Sequence, residues 1–583
     1  MRLIEIRLLD GPNIYRLEPA VKVEVVLGRR RSWYGQRVPA RHALVHLGAH
    51  VAPKAWPDPV AGIVAWIRRL RTDHGEGTGG VAVYRSSDPG HWIVAFPWRG
   101  AERAQTIAEA GLALADRNVS PTRRARLTGG QTRAVERWNA RIAAAGMTPP
   151  SWIRDADRRV PVVSISGTNG KSTVTRLITH ILVLAGRRVG TTTSDGVLID
   201  ERMVEPGDWT GPAGAAQILG RDDLDVAVLE TARGGVVLRG VGYESNEASV
   251  LTNVSSDHLD LQGIHTLPEL AEVKATICRI TKPDGRVVLN GDDPFVAATA
   301  RRVRAPVAYF SMVPGGSPVV RRHLARGGRA YLLDEGDLVE RDGRTRRRIV
   351  PVVDVPIAIA GLARHNVANA LAAAGAARAL GASLDEIRNG LTDFRPSSER
   401  SPGRLNIFRA GAAIVIIDFA HNEAGVSAVL DVADGIARRA TGPAAPVTMI
   451  IGTAGDRPDD TLHGIGRIAG QRVQRIAIKE TLRYLRGRSR ESMVGELLTG
   501  VRAARFPTSE IPTYETETEA LRGELARGGT PGTHEKTSRV IVLMCHEERE
   551  EVFKLLEQQG ARPIDVAAEL SELVPGPQER PRR

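Results

Sequence analysis

Residues 162–186 read VVSISGTNGKSTVTRLITHILVLAG. The segment up to Ser166 is apolar or small on consecutive positions, as a strand buried on both faces must be. Gly167, Thr168, Asn169 and Gly170 form a loop, and Lys171, Ser172 and Thr173 follow it. Val174, Leu177, Ile178, Ile181, Leu182 and Ala185 recur at helical spacing and predict a helix with one apolar stripe. Strand, glycine loop and helix in this order are the setting of a phosphate-binding loop. The glycines let backbone N–H groups converge on phosphate oxygens, and the helix N-terminus adds the positive end of its dipole. Lys171 supplies a mobile point charge, and the Ser172 hydroxyl a ligand for Mg²⁺. The longer form of this loop has a glycine five residues before its Gly-Lys pair. That position is Ile165, inside the strand, so this is the shorter GTxGK[ST] form.

The same strand–helix alternation runs on from this segment. DVAVLE, ASVLTN, RVVLNG, AIVIIDF, VTMIIG, RIAIKE and VIVLMC are short apolar runs separated by helical stretches, with an Ala-rich helix over 361–381. Alternation of this kind predicts parallel, doubly wound sheets and an α/β fold. Residues 1–120 read as a smaller α/β unit with strands at LIEIRLL, VKVEVVL, GVAVYRS and HWIVAFP, and helices near 60–70 and 101–116. Residues 121–155 read as a helical linker, 156–398 and 399–570 as two α/β domains, and 571–583 as a tail. Pro396, Pro402 and Gly403 mark the boundary between the two larger domains.

The bulk composition narrows the function. With 583 residues, several domains are expected, and 42% hydrophobic with 25% charged residues is globular composition. Cys278 and Cys545 are too few for a disulfide framework or a four-ligand zinc site, and their apolar neighbours suggest packing roles. Glu5, Arg7 and Asp10 interrupt the first apolar run, and no apolar stretch approaches the roughly 20 residues of a membrane span. A cytoplasmic protein without a membrane partner is expected. The net charge of +13 hints at a polyanion, yet only eight of the 80 basic residues are lysine. Arginine has replaced lysine nearly everywhere, as biased composition would produce. Neither Arg29–Arg31 nor Arg344–Arg348 is interleaved with stacking aromatics, so no nucleic-acid partner is expected.

Several residues beyond the loop suit a nucleotide site. Glu230 ends the strand DVAVLE, where carboxyl ends of strands face the ligand crevice, and can reach a metal. His258 follows another strand with Asp257 and Asp260 beside it. Asn290 follows RVVLN, and its amide could meet a nucleobase edge. Asp292 and Asp293 fit that site or a turn equally well.

In order along the chain stand SGTNGKST, LETARGG, NVSSDHLD, EVKATI, VLNGDDP, GLARHNVANALAAA, PGRLNIF and IIDFAHN. This series resembles the Mur ligases, a family of ATP-dependent amide-forming enzymes. TTTSDGVLIDERMVEPGDWTGPAGA, GTAGDRPDD and IKETLRYLRGR are similar to the cyanophycin-synthetase group within it, as is the opening IRLLDGPNIYRLEP. That group carries an ATP-grasp domain between these regions. Here only a linker of 121–155 intervenes, which puts the activity of that domain in doubt.

The resemblance implies a central ATP-binding and a Rossmann-like C-terminal Mur ligase domain, with ATP and Mg²⁺ as cofactors. It implies that Gly167, Thr168, Asn169, Gly170, Lys171, Ser172 and Thr173 bind phosphates, and that Asn290 contacts adenine. Arg404 and Asp418 would close over ATP, with His421 and Asn422 in the same motif and His365 and Asn366 in another. Ser172, Glu230, His258 and Lys274 would surround the metal, and Lys171, Lys274 and His258 would serve catalysis. Lys274 matches a lysine that many Mur ligases carbamylate. Arginine offers no neutral amine for that reaction. Lys479, Glu480, Arg486 and Arg488 would lie near an incoming amino acid or form a structural salt-bridge cluster. If that amino acid is arginine, Glu480 could pair with its guanidinium.

The expected function is ATP-dependent joining of a carboxylate acceptor, such as a peptide, to an amino-acid amine. A separate ATP-grasp partner and a homo-oligomer are consistent with it. The alternatives are a catalytically silent nucleotide-binding subunit of a larger peptide-synthesising assembly and a basic nucleic-acid-binding ATPase. The N-terminal unit could hold an anionic acceptor through Arg29–Arg31 or mediate assembly.

Overall fold

The strand that heads the phosphate loop is Val162–Ser166, buried at every position. A computed structural model describes residues 1–27, 51–77, 79–122, 127–256, 259, 262–440, 446–527 and 539–564. Among these residues the chain forms three sheets of four, eleven and seven strands.

The largest sheet carries the phosphate loop. Its parallel centre runs, in spatial order, Arg329–Asp334, Val307–Ser311, Thr281–Asn290, Asn246–Leu251, Val162–Ser166, Val226–Glu230 and Val189–Thr192. Helices cover both faces, as the unbroken apolar runs require. Lys171–Leu184, Arg364–Ala379 and Leu384–Asp393 pack on one face, and Pro212–Leu219 and Leu267–Lys274 on the other. The α/β class is as expected, but both edges are antiparallel additions absent from the sequence reading. Gly196–Ile199 and Arg202–Pro206 extend one edge, and Asp337–Asp342 and Thr345–Pro351 the other. Their outer strands are mostly exposed, so they lack the apolar run that marks a buried strand. The basic cluster of 344–348 lies on one of these edge strands. Arg346, Arg347 and Arg348 pair there with Asp334, Glu340 and Asp337 at 2.8, 3.0 and 2.9 Å.

The seven-stranded sheet is parallel over Thr513–Tyr514, Arg475–Lys479, Val447–Ile451, Arg539–Met544 and Ala413–Asp418. Asn406–Ala410 and Arg562–Pro563 complete it antiparallel. Cys278 and Cys545 are both buried, and burial pushes the Cys278 thiol up to about 12.

The N-terminal sheet is antiparallel, in the order Arg2–Leu9, Ala20–Val26, His91–Pro97 and Ala82–Arg85. Asp58–Asp73 and Ala101–Asp116 pack on it. The helix expected in the linker, Gly129–Ala144, starts at a Thr128–Gln131 capping box and buries Val135 and Ile142 in this same core. The segment DGPN docks this unit onto the central domain. Asp10 N–H donates to the Arg239 carbonyl at 2.8 Å, and Val241 N–H to the Pro12 carbonyl at 2.7 Å. A Cβ at Gly11 would lie 1.9 Å from the Val241 carbonyl oxygen, so the backbones meet at a distance only glycine permits. The basic cluster of 29–31 lies outside the described residues.

Candidate active site

The carboxyl ends of the strands in the two larger sheets face one cleft of about 740 Å³. The phosphate loop forms its floor. Gly170 caps the Lys171–Leu184 helix with φ of 87°, and a Cβ there would fall 2.3 Å from the Asn369 side-chain oxygen. The first amides of that helix have no partner four residues back and are available to an anion. The rest of the loop is held from the side by residues 252–255. Thr168 N–H donates to the Asn253 carbonyl at 2.8 Å, and Asn169 N–H to the Asn253 side-chain oxygen at 3.0 Å. The Asn253 amide returns a bond to the Asn169 carbonyl at 2.9 Å. Lys171 Nζ folds back on the Thr168 carbonyl at 3.0 Å.

Ser172 and Glu230 lie together beside the loop. Glu230 is buried, and burial raises its carboxyl above the ordinary range against the pull of Lys171 and a hydrogen bond from Ser172. Its Oε2 atom is buried without a hydrogen-bond partner. A carboxylate oxygen in that position, beside a hydroxyl and a phosphate loop, suits a hard divalent cation. Lys274 Nζ is also buried and donates to the Gly167 carbonyl at 2.8 Å, so this lysine does reach the loop. His258 lies outside the described residues.

Asn290 lines the cleft, with its amide donating to the Thr252 carbonyl at 2.8 Å and its oxygen accepting from Asp292 N–H at 2.9 Å. The two following aspartates tie loops together, and Asp293 also lines the cleft. Asp293 caps the helix Pro294–Ala298 and also accepts from Val254 N–H at 2.7 Å, while Asp292 accepts from Met312 N–H at 2.6 Å.

The C-terminal domain supplies the opposite wall. Asp418 accepts from Leu405 N–H at 2.9 Å and Ala420 N–H at 2.8 Å, and burial raises its carboxyl although Arg404 opposes the rise. The Arg404 guanidinium lies 4.4 Å from the centre of the Phe419 ring. Asn422 reaches the phosphate loop through Asn169. His365 lines the cleft, and burial lowers its imidazole to about 4. Asn366 is structural, donating to the Ile357 carbonyl and accepting from Asn369, each at 3.1 Å.

In the Lys479 region, ion pairs within the chain stand beside a residue that lines the cleft, Arg486. Lys479 Nζ is buried, 2.6 Å from Glu517 and 2.9 Å from His546 Nδ1. Glu480 is already paired with Arg490, Arg486 with Asp456, and Arg488 with Asp459. The Glu480 carboxylate is therefore engaged by a guanidinium of this chain.

Sequence reasoning passed over Asp195, Arg176, Asn253, Phe419 and Arg549. Asp195 offered one signal: it lies in a loop just beyond the carboxyl end of Val189–Thr192, the position that drew attention to Glu230.

The fold and this cleft define a P-loop α/β protein with a second, Rossmann-like domain closing on the loop. Residues 165–377 match the Mur ligase middle domain. Cyanophycin synthetase of Crocosphaera subtropica is 38% identical over 370 residues, 63% of this chain and 41% of that protein. A UDP-N-acetylmuramoyl-L-alanyl-D-glutamate–2,6-diaminopimelate ligase of Geobacter metallireducens is 28% identical over 435 residues, 69% of this chain and 80% of the other. Among solved structures, Mycobacterium tuberculosis folylpolyglutamate synthase complexed with ADP is 21% identical with a TM-score of 0.49, covering 70% of this chain and 92% of that one. The chain spans about two fifths of the length of the cyanophycin synthetases it matches. Its central residues match a Mur ligase middle domain, and the proteins it is similar to include cyanophycin synthetases and Mur ligases. Among the described residues, no helix is long and apolar enough to cross a membrane.

Proposed function

We propose that the chain is an ATP-dependent ligase joining a carboxylate to an amino-acid amine. One observation carries this reading: Lys171, Ser172 and Glu230 of the central domain and Arg404 and Asp418 of the C-terminal domain face a single cleft. The reaction requires charge neutralisation at transferring phosphate and orientation of three reactants, which two domains meeting over a phosphate loop can provide. The acceptor carboxylate attacks the γ-phosphate to form an acyl phosphate and ADP. The amine then attacks the activated carbonyl and expels phosphate. Lys171 and the helix-start amides would hold the phosphates, and Arg404 would meet them from the other wall. Ser172 and Glu230 would hold Mg²⁺, which would supply charge neutralisation at the transferring group. Lys274 would join that set if carbamylated.

Cyanophycin-like peptides are the first acceptors to try, and aspartate or arginine the first amines. A separate ATP-grasp protein and a homo-oligomeric assembly belong to the same proposal. The test is phosphate release across a panel of amino acids, with aspartate peptides and cell extract as acceptors. Release that needs both acceptor and amine supports the ligase. Tight nucleotide binding with no release under any combination favours a silent subunit instead.

A further inference from the structure

The P-loop helix and the last described helix meet at one largely buried carboxylate, that of Asp195. Asp195 Oδ2 accepts from Arg176 Nη2 at 3.0 Å, and Asp195 Oδ1 from Arg549 Nη1 at 3.0 Å. Arg176 belongs to the Lys171–Leu184 helix, and its other terminal nitrogen donates at 2.8 Å to the carbonyl of Arg400, at the boundary between the two larger domains. Arg549 opens the helix Arg549–Gln558 of the C-terminal domain. Its guanidinium lies 5.7 Å from the centre of the Phe419 ring, the ring that Arg404 approaches at 4.4 Å. Side-chain exposure is 6% for Arg176 and 10% for Asp195. Burial alone would raise the Asp195 carboxyl, but Arg404, Arg549 and Arg176 together hold it at about 2.

We propose that Asp195 is a positioning residue that fastens the C-terminal domain to the P-loop helix through Arg549 and Arg176, and so holds Phe419 and Arg404 over the phosphate site. The geometry distinguishes this from an ordinary surface pair. Parting the domains would separate Asp195 from Arg549 and Arg404 and leave it with Arg176 alone, so the ion pair across the domains opposes their parting. Asp195 therefore favours the closed arrangement before any ligand arrives, and a nucleotide binding between the walls meets them already placed.

For its nucleotide arm this inference rests on the ligase reading; its scattering arm does not. The variants are Asp195→Asn, which keeps size and removes charge, and Asp195→Glu, which restores the charge. Small-angle X-ray scattering of the ligand-free full chain should show a larger radius of gyration for Asp195→Asn and a wild-type value for Asp195→Glu. Calorimetry with Mg-ADP should show about tenfold weaker binding for Asp195→Asn, with most of the loss recovered in Asp195→Glu. If Asp195→Asn does not fold by circular dichroism, Arg549→Gln is measured in its place with the same expectations. Wild-type scattering from a folded charge-removing variant overturns the proposal. Absence of Mg-ADP binding in the wild type overturns the nucleotide reading, while the scattering comparison still decides the role of Asp195.

Discussion

Asn169 of the phosphate loop and Asn422 of the C-terminal domain exchange hydrogen bonds, each amide donating to the other's side-chain oxygen. The distances are 3.1 Å from Asn422 to Asn169 and 3.3 Å in return. The same Asn422 oxygen accepts from Gly425 N–H at 2.9 Å, at the start of the helix Glu423–Ala440. One side chain therefore caps a helix in one domain and grips the nucleotide loop of the other.

Asn422→Asp separates these two jobs. An aspartate keeps the acceptor that caps the helix and loses the donor that Asn169 receives. It also brings a negative charge beside the phosphate loop. The melting temperature should stay within about 2 °C of wild type. Nucleotide-dependent phosphate release should fall about tenfold, the scale of one lost hydrogen bond plus local repulsion. Thermal melts and a coupled phosphate assay read the two effects separately, and a large drop in melting temperature would show that the cap, not the bridge, had been broken.

Glu230 gives a prediction in pH and metal. Burial raises its folded-state carboxyl above the ordinary 4.5. The stability this contributes is complete below the unfolded value and is lost as pH rises through the folded one. At about pH 8 the ionised group should burden the ligand-free protein. Glu230→Gln should then raise the ligand-free melting temperature by roughly 2 °C. The same variant should lose the further stabilisation that Mg²⁺ or Mn²⁺ with ADP gives the wild type. Equal metal-dependent stabilisation in both proteins would remove Glu230 from the metal set.

Lys274 can be tested by substitution and rescue. Its ammonium donates to the Gly167 carbonyl, so it has a positional role without modification. A carbamate would add negative charge near the metal, which arginine cannot supply. Lys274→Ala and Lys274→Arg should both lower phosphate release by at least about a hundredfold, the scale of one lost electrostatic group in a transition state. Chloride or bicarbonate should restore part of the Lys274→Ala activity if the missing group is an anion. Full activity without rescue would exclude any role in turnover.

The phosphate loop was legible because its signals are local: a buried strand, spaced glycines and an apolar stripe lie within 25 consecutive residues. Glu230 was legible from its place at a strand end. Asp195 and Arg549 stand 354 positions apart and Asn169 and Asn422 stand 253 apart, so no local pattern joins either pair. The edge strands 337–351 were missed because their half-exposed, arginine-rich surface lacks the continuous apolar run of the central strands. The partners that bury Lys479 lie 38 and 67 positions away, beyond any local pattern.

Those partners lead to a prediction about why position 479 holds one of the chain's eight lysines. Lys479 Nζ bonds Glu517 at 2.6 Å and His546 Nδ1 at 2.9 Å, and His546 Nε2 lies 2.9 Å from the Ala420 carbonyl. An ammonium has no acceptor, so it donates to Nδ1, and the imidazole donates its Nε2–H to Ala420. Burial and Lys479 both push His546 well below its ordinary value, keeping it neutral. Gly452 leaves room for the lysine stem: a Cβ there would meet Lys479 Cε at 2.6 Å. A planar guanidinium is broader than an ammonium, so Lys479→Arg should be less stable than wild type. Burial would raise the Glu517 carboxyl, but the Lys479 ammonium and the backbone N–H of Glu548 hold it at about 2, against 4.5 unfolded. The resulting stability is present above 4.5 and is lost as pH falls towards 2. Lys479→Met should destabilise the C-terminal domain by about 3–5 kcal/mol near neutral pH, because it strands a buried carboxylate. Lys479→Met with Glu517→Gln should recover part of that loss, since no buried charge remains unpaired. Urea unfolding of both variants and of Lys479→Arg, at about pH 7 and about pH 3.5, checks the set. If Lys479→Arg matched wild type, charge alone would account for the lysine, and the slot shaped by Gly452 would not.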